Sequence, residues 1–316
     1  MSEAVLSGPF FGWLTDMLKS IAEIRTPFLD KVMNGVSVLG NEMAFIVIGL
    51  ILLWCVNKKL GYRFMLVFIA GNVVNQFLKA LFMIPRPWVL DPEVKPVPSA
   101  LDDATGFSFP SGHTQSATIM YGLPACRIRK AWAYIAAAAL IAAVGFSRMY
   151  LGVHTLLDVV CALIAGVIVI AVMELIFAKC GDGKKVYSVV SGITALAALG
   201  LVIFVMTYCV KKEYDPTQVK DVCVVFGTAF GLFAGSFVEQ RFVDFDERAK
   251  WWVQIIKVVV GLALVLGLRM GLKPLLAGIS DSPFMDIARY FIMSFFAIAV
   301  YPLFFKLFRK RGSAAE

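Results

Sequence analysis

A chain of 316 residues with 59% hydrophobic and 16% charged residues, and a mean hydropathy of +0.80, lies far from a soluble domain, which is about 45–50% apolar and about 25% charged. One integral membrane domain is expected, with no soluble module large enough to fold alone. The net charge of +8 does not mark a nucleic-acid binder, because Lys and Arg cluster in short turns between apolar runs, which is a topology signal.

Residues 1–38 are too mixed to span a bilayer. Pro9, Phe10, Phe11, Trp13, Leu14, Met17 and Leu18 with Lys19, and then residues 27–38, predict amphipathic segments lying in the interface, so residues 1–40 are read as one interfacial segment. No cleaved signal peptide is expected. Nine apolar runs follow: Met43–Val56, Phe64–Ile84, His113–Cys126, Ala131–Phe146, Thr155–Ala178, Val186–Val210, Val222–Val238, Trp252–Leu268 and Ala288–Phe305. Several are shorter than the roughly 20 residues of a perpendicular span, so their ends must extend into the neighbouring turns. A polar, proline-rich loop over 88–110 carries Asp91, Glu93, Asp102 and Asp103, read as a solvated face. The fold class is therefore all-α, a polytopic transmembrane helical bundle.

The six cysteines show no metal-ligand spacing, and no metal or cofactor is expected. Cys209 and Cys223 flank one predicted loop, but no bridge is expected there. The turns at 57–63, 127–130, 179–185 and 239–251 with the tail 306–311 hold 16 Lys and Arg, against 10 in the longer stretches on the other side. The positive-inside bias then places the N-terminus outside and the C-terminus in the cytoplasm, with Arg309, Lys310 and Arg311 as a cytoplasmic anchor.

Both histidines of the chain, His113 and His154, fall on the predicted outer side, each at the edge of an apolar run. Ionisable residues at such positions are costly to keep and mark function by default. Lys79 and Arg86 are seven residues apart, close to two helical turns, although Pro85 and Pro87 distort that helix end. Ser111 is a good N-cap, and the N–H groups behind it offer an anion site at the head of the third helix. Gly112 lets the backbone approach a ligand closely. His154 and Asp158 are i and i+4 on one helix face, where a carboxylate can hold one imidazole nitrogen and leave the other free. Phosphoryl transfer requires charge neutralisation, an in-line nucleophile and a proton for the leaving oxygen. Lys79, Arg86 and Arg148 would supply the charge, His154 the attack and His113 the proton, with the cations in place of a metal.

Lys79 through Arg86-Pro87, then Pro110-Ser111-Gly112-His113, then Ser147-Arg148 with His154 and Asp158 together resemble the three-part signature of the type-2 phosphatidic acid phosphatase superfamily. The likeness covers about residues 40–210, and Ala162, where relatives often have glycine, is a small departure. The resemblance implies a six-helix phosphatase core (41–210) followed by about three additional helices and a basic tail (211–316). It implies a membrane-integral, metal-free hydrolase of lipid phosphates or polyprenyl diphosphates (undecaprenyl diphosphate, phosphatidylglycerophosphate or phosphatidic acid) in the cytoplasmic membrane. It further implies a phosphohistidine on His154, His113 as acid, and Asp158 as partner of His154. Lys79, Arg86, Ser111, Gly112 and Arg148 would be the phosphate ligands, with the active site extracytoplasmic.

Taken singly each feature is weak: Lys79 or Arg86 alone reads as a snorkelling anchor, and Ser111-Gly112 as a turn and cap. Two enzyme alternatives stay open, a lipid phosphotransferase and a sugar-phosphate phosphatase, because the nine-helix, N-outside layout is similar to that of glucose-6-phosphatases. From another class stands an anion or lipid transporter, which would not need His154 with its i+4 acid. Membrane lipids and a lipid phosphate are the expected partners, and the oligomeric state is open. Arg269 and Lys273, four apart on the eighth run, share a helix face; the preferred reading is that Lys273 snorkels and Arg269 pairs with Asp281 or Asp286, and the sharper alternative is a secondary anion site.

Overall fold

A computed structural model describes residues 6, 8–209 and 216–308; the basic cluster Arg309-Lys310-Arg311 lies outside the described residues. Among the described residues there are helices and connecting turns but no strand. Two N-terminal helices, α1 (Pro9–Ala22) and α2 (Pro27–Val38), precede α3 (Glu42–Ile51) and α4 (Lys58–Phe82). Then follow α5 (Gly112–Ile128), α6 (Ala131–Tyr150), α7 (Leu156–Cys180), α8 (Lys184–Cys209), α9 (Pro216–Val238), α10 (Trp251–Ala277) and α11 (Met285–Phe295).

Every predicted apolar run falls on a helix. Seven described helices are long and apolar enough to cross a membrane, or up to eight if α2 and the segment Glu42–Val56, bent by 43°, count as one span. α5, at 17 residues, falls just short of the same length. The helix ends extend as expected: α4 begins at Lys58, α6 runs to Tyr150 and α10 to Ala277. Among the described thiols, Cys55, Cys126, Cys161, Cys180 and Cys223 are free; the Cys209 side chain lies outside the description.

The helices divide into two compact units. The first comprises Met1–Phe45, Ala70–Leu175 and Val205–Gln218. Within it α1 turns Phe11, Leu14 and Leu18, at i, i+3 and i+7, inward against Ile84, Phe109, Val94 and Met149. α2 sets Leu29 and Met33 against the cluster of Val97, Ala100, Ala104, Tyr150, Leu151 and Val153. The outward faces of these two helices stay apolar, with Phe10, Trp13 and Phe28 exposed. The loop acids also find partners here, for Lys19 Nζ lies 2.8 Å from Asp16, 3.0 Å from Asp91 and 3.1 Å from Glu93.

The second unit comprises Ile46–Ile69, Ile176–Phe204 and Val219–Glu316. It contains three single π-turns, Leu52–Val56, Glu239–Val243 and Phe296–Val300. A π-turn displaces the normal hydrogen-bond ladder, and the Ala297 carbonyl of one of them accepts a bond from Trp54 Nε1 at 3.0 Å. Buried charge is compensated locally: Glu239 lies 2.5 Å from Lys58 and accepts from Tyr62 Oη at 2.7 Å.

Candidate active site

Everything that positions the candidate site belongs to the first unit. α4 stops at Phe82 because Met83 turns left-handed (φ 49°) and Ile84 precedes a proline, which disfavours further helix. Arg86 therefore leaves the helix in extended backbone (φ −65°, ψ 152°) as the residue before the short turn Pro87–Leu90. Lys79 and Arg86 do not share a helix face by spacing; proline geometry brings them to neighbouring carbonyls of one loop. Lys79 Nζ donates to Phe107 O at 2.6 Å, and Arg86 Nε to Gly106 O at 3.0 Å, with Arg86 Nη2 on Thr105 O.

Arg86 Nη1 also reaches Val153 O at 3.0 Å and His154 Nε2 at 3.2 Å. A guanidinium can only donate, so His154 Nε2 is the acceptor and the ring proton belongs on Nδ1. Nδ1 in turn faces Asp158 Oδ2 and Ser108 Oγ, each at 3.5 Å. His154 itself stands in the turn two residues ahead of α7, which corrects its expected place on the helix face. Asp158 returns to it through a reciprocal cap: Thr155 N donates to Asp158 Oδ2 at 2.7 Å, and Asp158 N to Thr155 Oγ1 at 3.4 Å.

Ser108 was not singled out by sequence reasoning, yet its hydroxyl donates to Asp158 Oδ2 at 2.6 Å. Its only sequence signal was its place two residues before Pro110. Asn75 and Gln115 were missed as well. They pair at 2.9 Å, Gln115 donates on to Gly71 O at 2.7 Å, and together they tie α4 to α5. Amides buried in a spanning helix are the kind of signal that could have found them.

Ser111 caps α5 as expected, accepting from Thr114 N at 3.4 Å, and its own N–H donates to Asp158 O at 3.1 Å, joining the head of α5 to the start of α7. A Cβ on Gly112 would meet only Asn75 Oδ1, at an ordinary 3.7 Å, so no protein neighbour requires glycine there. Arg148 sits in the last turn of α6 instead of a loop, fully buried, with Nη1 on Ser37 Oγ at 2.6 Å. Its Nε and Nη2, and Nε2 of His113, are buried with no hydrogen-bond partner among the described residues. Unpaired buried polar atoms are expensive, and these three beside Lys79 and Arg86 form a cluster of positive potential suited to an anion.

Burial, and then the charges of Arg86, Arg148 and Lys79, hold the His154 imidazole well below its usual range. It is therefore neutral at physiological pH. The structure thus brings together Lys79, Arg86, Ser111, Gly112, His113, Arg148, His154 and Asp158. Arg269 and Lys273 belong to the second unit, Arg269 half-buried and Lys273 exposed, and the first unit assembles the site without them. Asp286, offered above as a partner for Arg269, lies 2.9 Å from Arg289. Among the described residues no group of three or more His, Cys, Asp or Glu could hold a metal ion.

An apolar helical bundle holding a basic cluster around a neutral imidazole is suited to a phosphate group, and comparison with known proteins gives the class and the family. The PAP2 superfamily matches residues 60–182, and the PAP2 superfamily phosphatase transmembrane extension matches residues 223–313. The chain is 32% identical over 154 residues to phosphatidylglycerophosphatase B of Bacillus subtilis (strain 168), which covers 45% of this chain and 71% of that one. It is 30% identical over 147 residues to undecaprenyl-diphosphatase BcrC of the same organism, covering 44% and 72%. Sphingosine-1-phosphate phosphatase 1 of Rattus norvegicus is 23% identical over 251 residues, covering 73% and 56%. The crystal structure of a transmembrane PAP2 type phosphatidylglycerolphosphate phosphatase from Bacillus subtilis overlaps 55% of this chain and 92% of its own, with 26% identity and a TM-score of 0.47. The chain belongs to the PAP2 superfamily. It is a multi-pass integral membrane protein and a phosphoric ester hydrolase.

Proposed function

We propose that this protein hydrolyses a lipid phosphate or polyprenyl diphosphate through a phosphohistidine on His154, on the extracytoplasmic side of the cytoplasmic membrane. The observation that carries the reading is the state of His154: Nε2 is an acceptor facing a guanidinium, while Nδ1 is turned to Asp158 and Ser108. Such a ring is a nucleophile held in the required tautomer.

Arg148, through Nε and Nη2, and Arg86 and Lys79 bind the non-bridging phosphate oxygens, with the backbone N–H groups behind Ser111 at the head of α5. His154 Nε2 attacks phosphorus, and the bond from phosphorus to the leaving oxygen breaks. His113, protonated in the complex because the bound anion favours the imidazolium, gives its Nε2 proton to that oxygen. In the second half His113 takes a proton from water, the resulting hydroxide attacks phosphorus, and the P–N bond breaks to release phosphate and restore His154. Asp158 keeps the Nδ1 proton in place and offsets the positive charge on the ring. Charge neutralisation comes from the three cations, so turnover survives EDTA. The relatives named for phosphatidylglycerophosphate and undecaprenyl diphosphate support a lipid or polyprenyl leaving group.

Phosphate release from a panel of lipid phosphates in detergent tests this reading. His154→Ala and Arg148→Ala lower kcat/KM by at least about a thousandfold, and Asp158→Asn does so by about a hundredfold or more, with folded yield near normal. Wild-type turnover by His154→Ala would remove the nucleophile assignment.

A further inference from the structure

Among the described residues, the Arg148 side chain has one hydrogen-bond partner, and that partner lies outside both segments matched by the family. Ser37, in the last turn of α2, accepts from Arg148 Nη1 at 2.6 Å and is itself buried. The matched segments are residues 60–182 and 223–313, so α2 lies outside the residues that the family matches. We infer that Ser37 is a positioning residue, which fixes the Arg148 guanidinium so that its Nε–Nη2 edge faces the phosphate. This deepens the proposed function and rests on Arg148 being a phosphate ligand.

The geometry of the guanidinium is what makes the contact informative. Its five N–H donors form a rigid planar fork, and two neighbouring N–H groups on one edge bind an oxyanion bidentately. Tying Nη1 to a fixed acceptor removes rotation about the last bond of a long side chain. It leaves the Nε–Nη2 edge, and those are the two Arg148 atoms that are buried without a partner.

The acceptor is itself well anchored. Arg25 Nε donates to Tyr150 O at 2.8 Å, Tyr150 Oη donates to Asp30 Oδ1 at 3.0 Å, and Asn34 Nδ2 donates to Ser99 Oγ at 2.8 Å. Just past α2, a Cβ on Gly40 would lie 2.7 Å from His113 O and 2.7 Å from Val144 Cγ1, so the chain passes directly against the backbone of the other catalytic imidazole. α2 is thus clamped at its start to the end of α6 and past its end to the head of α5, the helices that carry Arg148 and His113.

The test is a double-mutant cycle on Ser37 and Arg148, read as kcat/KM on a lipid monophosphate. Ser37→Ala lowers kcat/KM about tenfold, and Ser37→Cys, which keeps a branchless side chain with a slightly larger and poorer acceptor, loses a similar factor. In an Arg148→Lys background, where no guanidinium remains to orient, Ser37→Ala costs less than about twofold. Thermal unfolding of the Ser37 variants in detergent stays near wild type. Where Arg148→Lys turns over too slowly, the same cycle is read in the dissociation constant for vanadate. The inference is overturned by full activity in Ser37→Ala, or by the same loss in both backgrounds, which would mean that Ser37 acts through general packing. Wild-type activity in Arg148→Lys alone would instead remove the reading of Arg148 as the phosphate ligand.

Discussion

At His154 the physical chemistry of one residue decides what the pocket can do. Burial, and then the charges of Arg86, Arg148 and Lys79, all disfavour protonation of this imidazole. Because the folded-state value is depressed, the folded protein keeps the ring unprotonated while the unfolded chain takes up a proton near the usual value of about 6.5. Stability from this group is therefore present above about pH 6.5 and is lost as pH falls below it. For turnover, the acid limb of kcat/KM that belongs to His154 lies below about pH 6.5. The measurement is a pH profile on a substrate analogue whose phosphate does not titrate in that range. A limb at the ordinary imidazole value would contradict the assigned environment. The residue types and order were readable in the chain, because only two histidines exist and both fall at the edge of an apolar run. Ser108 was not readable, because a serine in a loop has no distinctive neighbours until folding sets it 2.6 Å from a buried carboxylate.

Among the elements, the long apolar runs and the two amphipathic segments located α1 to α11, since apolar runs of this length have few alternatives, but not the short helical turns Pro87–Leu90 and Pro98–Ala100 inside the loop. Sequence periodicity misjudged how the helices end. Arg86 comes to the site in extended backbone beyond a proline stop, and His154 comes from a turn whose companion carboxylate folds back through a cap. Helix spacing describes neither route. The N-terminal helices carry the largest surprise. Their amphipathic pattern is real, but their inward faces pack on the core of the first unit, and the turn after α2 lies against His113. Gly40→Ala should therefore push this turn away from the head of α5 and lower kcat/KM by about tenfold or more, because displacements of about 1 Å near a reacting centre carry such costs. Gly35→Ala, where an added Cβ meets nothing within 4 Å, is the control and should keep wild-type activity. Equal behaviour of the two variants would remove the close approach as a functional constraint.

For the whole molecule, the asymmetry of 16 Lys and Arg on one set of turns against 10 on the other motivates an active site facing away from the cytoplasm. Exposed side chains on each set allow a direct check in a Cys180→Ser, Cys209→Ser background, which removes the thiol that is exposed among the described residues together with that of Cys209. Leu101→Cys, in the loop before the Pro110 motif, should react with an impermeant thiol reagent on intact cells, whereas Ile128→Cys should react only after permeabilisation. The reverse pattern would invert the topology and place the chemistry in the cytoplasm.

The central claim is that the phosphoryl group passes through His154, and a single-turnover experiment with phosphorus-labelled lipid phosphate, quenched in alkali, reads it most directly. Phosphohistidine survives base and is lost in acid. The account predicts base-stable, acid-labile label on the peptide containing His154, reduced in Asp158→Asn and absent in His154→Ala. Label on a different residue, or undiminished label in His154→Ala, would contradict it.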